Sequence, residues 1–164
     1  MVICIIYTLI LLTVLTVKDI QADRNYLGYL DRAANANTME LCKKELYSAI
    51  AGIEEKGLTK GYTSVLWTTP DEDVEFWYTN ITACKNELLK VTEETSQLER
   101  TNILMKIRES LTTRGNDSSK VIYPEGISKF PHNAVYGILL WLLLPVWSVC
   151  IGIWLSMYQK EIFI

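Results

Sequence analysis

Charge is missing from both ends of this chain and crowded between them. The 24 residues from Ala134 to Met157 contain no Asp, Glu, Lys or Arg, and seven residues follow them. A second apolar run covers Val2–Val17. About 20 apolar residues cross a bilayer as a helix, so the C-terminal run is long enough and the N-terminal run is short. The middle must then fold in water, tied to a membrane at its C-terminal end.

The short N-terminal run reads as a signal peptide over residues 1–22. A small residue, Ala22, follows the polar stretch Lys18-Asp19-Ile20-Gln21, and cleavage is expected after it. The alternative is an uncleaved anchor that leaves both ends cytosolic. Only Lys160 lies beyond the C-terminal run, so the distribution of Lys and Arg gives the orientation no support. Two glycosylation sequons, at Asn80 and Asn116, favour an outside middle and an inside tail. The expected division is a leader 1–22, a helical ectodomain 23–115, a juxtamembrane stalk 116–133, a transmembrane helix 134–157 and a tail 158–164. The expected location is the plasma membrane, as a single-pass type I protein.

Residues 23–131 hold 14 Lys+Arg against 17 Asp+Glu. That mild acidity argues against nucleic acid and anionic lipid surfaces as partners. Of four cysteines, Cys4 lies in the leader and Cys150 in the transmembrane run. Cys42 and Cys84 remain in the ectodomain. Two cysteines in an oxidising compartment are most simply one disulfide, the rival being free or intermolecular thiols.

Helical spacing runs through the middle. Asn37 and Glu40 have the spacing of a capping box, and Cys42, Leu46, Ala49, Ile50 and Ile53 then recur on one face up to Gly57. Thr69, Pro70 and Glu72 mark a second start, with Asp71, Asp73 and Glu75 placed at the positive end of the helix dipole. Val74, Trp77, Ile81, Cys84, Leu88 and Val91 form its heptad-like seam. Both cysteines lie on inward stripes. Ser96 and Glu99 open a third helix with Leu98, Leu104, Ile107 and Leu111 inward, either separate from the second or continuous with it. The expected fold is all-α: a three-helix extracellular bundle braced by one disulfide, plus the C-terminal transmembrane helix.

Nothing in the pattern points to catalysis or to a cofactor. The single histidine, His132, stands at the membrane border, away from any nucleophile in the domain. A zinc site needs four ligands, and there is no glycine-rich phosphate loop. Binding remains. Tyr62, Trp67 and Tyr78 are the candidate aromatic anchors. Trp77 reads as core. Ser148, Gly152 and Ser156 recur every four residues, a spacing that lets two membrane helices approach, either a receptor's or a second copy's in a homodimer.

The layout resembles the receptor activity-modifying proteins. Leu41-Cys42, Trp67 with Tyr78-Thr79-Asn80-Ile81-Thr82-Ala83-Cys84, and Val121-Ile122-Tyr123-Pro124 are similar to segments of that family. The chain departs from it in having two ectodomain cysteines rather than at least four. Val91–Ser96 also stands where the family has a Cys-x-Trp-Pro-Asn segment. The resemblance implies an accessory subunit of a family B G-protein-coupled receptor, aiding surface delivery and adjusting ligand choice. The competing class is a surface adhesion or immune-modulating ligand that acts through its ectodomain alone.

Overall fold

A computed structural model describes residues 2–64, 68–114, 119–129, 137–138 and 141–162. Of these described residues 74% are helical, which establishes the helical class. Helix α1 is Val2–Ala22. One π turn, Asp23–Leu27, carries it into α2, Gly28–Ala34. Then come α3, Met39–Glu55, α4, Val74–Leu89, and α5, Gln97–Leu111. A short antiparallel pair follows, β1 Thr112–Arg114 with β2 Ser119–Val121, and α6 is Leu143–Ile162.

The core forms where α2, α3, α4 and α5 meet. Helix α2 packs most extensively on α3 and also touches α5, while α4 packs on both α3 and α5. The inward stripes are those the spacing predicts. Cys42, Leu46, Ala49, Ile50 and Ile53 of α3 are buried, as are Val74, Trp77, Ile81, Cys84 and Leu88 of α4. On α5 only Ile107 and Leu111 are fully inside, with Leu104 partly buried. Leu98, expected inward, is exposed. It belongs to the first turn of α5, before that helix meets its neighbours.

Helix α2 has no counterpart in the sequence reading. Its spacing is short, and it becomes a core element through contact. Leu30 and Ala33 are buried, and Arg108 of α5 donates from Nε to the Ala34 carbonyl at 2.9 Å, satisfying an orphan acceptor at the helix end. Arg32 pairs with the buried Glu45 of α3 at 2.7 Å. Gly52 of α3 lies against the π turn so closely that a Cβ there would collide with the Asn25 carbonyl.

Two helix starts differ from expectation. Thr38, not Asn37, caps α3, accepting from the Leu41 amide at 3.2 Å, because Met39 and Cys42 both turn inward from that start. Pro70–Glu72 makes one 3-10 turn after Thr69, and Asp73 caps α4 by accepting from the Phe76 amide at 3.0 Å. The reason is the extended segment alongside: Thr63 N–H donates to the Glu72 carbonyl and Val74 N–H to the Gly61 carbonyl, at 3.1 and 2.9 Å, which holds Asp73 extended between the 3-10 turn and α4. Ser96 caps α5 as its spacing predicts. Helices α4 and α5 are separate, joined by a turn that the Arg100 guanidinium clamps through the carbonyls of Thr92, Glu93 and Thr95.

The cysteine pairing is corrected. Cys42 and Cys84 are buried free thiols, and the disulfide joins Cys4 to Cys150. The two core thiols do face the same interior, where apolar packing shields them. The bridge instead forms between the two apolar ends of the chain, which the fold brings side by side. Residues 119–129, expected as part of a stalk, lie on the domain, and Ile127 is fully buried.

Candidate binding groove

A concave surface with a volume of about 510 Å³ lies beside the start of α4. Its floor comes from Trp77 and Ile81 of α4 and Leu111 at the end of α5. Its other wall is Val121-Ile122-Tyr123-Pro124, leaving β2. The wall is anchored: Ile122 N–H donates to the Leu111 carbonyl at 2.8 Å, and the Trp77 indole Nε1 donates to the Ile122 carbonyl at 2.8 Å. Thr63 Oγ1 donates to the Glu125 carbonyl just beyond, at 2.5 Å.

This anchored wall and α4 together hold three large apolar side chains in water. Phe76 is 64% exposed, Tyr123 46% and Ile122 45%. Aromatic side chains held rigidly in this way lose little freedom on docking, which is why they concentrate at interface centres. Asp71 and Asp73 are the charged groups in the lining. The groove therefore has an apolar floor and an acidic rim. It suits an aromatic or aliphatic anchor flanked by Lys or Arg.

The expected anchors are distributed differently. Tyr62 is partly exposed and lies on the segment bridged to Asp73. Tyr78 is half-buried, and its hydroxyl donates to Glu54 at 2.6 Å, linking α4 to α3. That bond raises the pKa of the phenol above its usual value, with burial and the Glu54 charge acting the same way. Trp67 and Asn116 fall outside the described residues. Asn80 is exposed on α4 and lines the groove, so a glycan there would stand at its edge. Phe76, Ile122 and Tyr123 were missed as a site. The run Val121–Pro124 carried the signal, an apolar string before a proline, but only the fold places it beside Phe76.

The two core cysteines carry no chemistry in this arrangement. Burial, and then the neighbouring Cys84, push the Cys42 thiol up to about 11. Burial also raises Cys84, partly offset by the Ser110 hydroxyl and Lys106. Both are held in the unreactive neutral form. Among the described residues no group of three or more His, Cys, Asp or Glu side chains converges as a metal site would require.

On α6, Ser148 and Ser156 are exposed, and a Cβ at Gly152 would meet nothing within 4 Å. Ser148 Oγ returns to the Leu144 carbonyl at 2.6 Å, which satisfies it within its own helix. The opposite face, with Trp147 and Cys150, meets α1. Among the described residues nothing covers the small-residue face.

The chain matches no protein-family model, no curated protein and no solved structure.

Proposed function

We propose that the protein is a non-catalytic binding subunit, anchored in the plasma membrane with its helical domain outside. The partner is a membrane protein in the same bilayer. The observation that carries this reading is the groove: an anchored wall holds Ile122 and Tyr123 exposed beside the exposed Phe76 of α4, and that wall belongs to the segment of chain that leads to the apolar C-terminal run. The open Ser148/Gly152/Ser156 face supports it from within the membrane, since small residues at that spacing admit close helix approach. The resemblance to receptor activity-modifying proteins gives the reading its specific form, an accessory subunit of a family B G-protein-coupled receptor. Expected modifications are glycans at Asn80 and Asn116. Neither a cofactor nor nucleic acid has a part in it.

The test is capture of membrane proteins from detergent by the full-length chain. Phe76→Asp and Tyr123→Asp should reduce recovery of the partner at least tenfold, as loss of hot-spot anchors does. Gly152→Leu should weaken it further. If a lipid anchor in place of α6 leaves full activity toward a partner on an opposing cell, the same-membrane reading fails and the adhesion or ligand class replaces it.

A further inference from the structure

Residues 1–22 have the composition of a removable leader, yet they contact the C-terminal part of the chain along their length. Helix α1 passes through the π turn into α2 without a break, and its apolar-to-polar course from Cys4 to Ala34 covers 31 residues. The peptide bond after Ala22 therefore lies inside a helix. Ala22 is buried at 4% exposure, in the same core cluster as Tyr26 and Leu30.

Three sets of contacts run along α1 in one direction and back along the C-terminal part in the other. Cys4 is bonded to Cys150. The Trp147 indole Nε1 donates to Thr8 Oγ1 at 3.0 Å. Asp19 accepts from the Ser128 hydroxyl and pairs with Lys129 at 3.3 Å. The position rises in α1 as it falls in the partner segment, which is an antiparallel hairpin. The chemistry changes along it in the same order. Near Cys4 and Thr8 the contacts are covalent or between groups that satisfy each other; at Asp19 they are ionic.

Around that seam both helices present apolar surface. Ile5, Ile6, Leu9, Ile10, Leu12 and Val17 of α1 are exposed, while Leu11 and Leu15 are buried. On α6, Val149, Ile153 and Leu155 are exposed. We infer that α1 is retained in the mature protein as a second membrane-spanning helix, antiparallel to α6. The two termini then lie on one side of the bilayer and the helical domain on the other. The apolar part of α1, at about 1.5 Å per residue, reaches about 24 Å, short of a hydrocarbon core of about 30 Å. A short span is accommodated by local thinning or by helix association, and α6 supplies the association.

The test uses the full chain with one epitope after Met1 and a second after Ile164, expressed in cells and run reduced. Both epitopes should appear on one species of full length. Both should also be protected from external protease until the membrane is permeabilised. A mature chain beginning at Asp23, with the first epitope lost, overturns the inference; so do two epitopes on opposite faces. Partner capture is read separately, so failure here leaves the binding reading standing, and its failure leaves this one standing.

Discussion

The Trp77 indole donates to the Ile122 carbonyl at 2.8 Å, across 45 positions of sequence. This bond turns the segment after β2 into one wall of a groove whose floor is α4. Trp77→Phe keeps most of the ring and removes the donor. It should lower stability by about 1 kcal/mol, the usual net worth of one hydrogen bond. Trp77→Ala should cost about 3–5 kcal/mol through the cavity it leaves. Thermal melting of the full chain in detergent separates the two.

Gly52 and Asn25 set how closely α3 approaches the π turn. A methyl at Gly52 would collide with the Asn25 backbone, which cannot swing away as a side chain can. Gly52→Ala should destabilise the fold by roughly 1–3 kcal/mol through overpacking, despite its better helix propensity. An unchanged or raised melting temperature would contradict this packing.

Glu45 is 1% exposed, with one carboxylate oxygen on Arg32 and the other without a hydrogen-bond partner among the described atoms. Arg32→Ala should strand the carboxylate and cost about 3 kcal/mol, the low end for a broken buried pair because Arg32 itself is largely exposed. Adding Glu45→Met should recover most of the loss. A double variant no more stable than the single would refute the pairing as the source.

The Cys42 thiol is held at about 11 against an ordinary 9.0. The fold favours the neutral form, so this stabilisation is complete below pH 9 and is lost as pH rises through 11. At pH 8 neither Cys42 nor Cys84 should react with iodoacetamide in the folded protein. Both should react after unfolding without reductant, while Cys4 and Cys150 should require it. Mass spectrometry of the labelled peptides gives the count, and an unreactive Cys42–Cys84 pair in the unfolded chain would restore the bridge excluded above.

Glu87 is held below the usual carboxylate range by Lys90 and then Lys106, which ties α4 to α5. Its contribution is present above the ordinary carboxylate pKa and fades as pH falls through the lowered one. Glu87→Gln should therefore flatten the acid side of a plot of melting temperature against pH and leave the neutral region nearly unchanged. An acid limb as steep as the wild type's would rule this out.

What the sequence by itself determined is local. The stripes of α3 and α4 were legible because each follows one period over several turns, and a helix with that spacing has one face to bury. Ser96 was legible as a cap because its partner amide is three residues away. Long-range contact decided the rest. Helix α2 is too short to show a period and exists as a core element because α3 and α5 cover it. Asp73 replaced Thr69 as a cap because residues 61–63 pair alongside. The cysteines divide as they do because the fold brings Cys4 to Cys150, a separation of 146 residues. Phe76 and Tyr123 share a groove because Trp77 holds Ile122. Spacing along a chain records which side chains share a face; it holds no record of which faces meet.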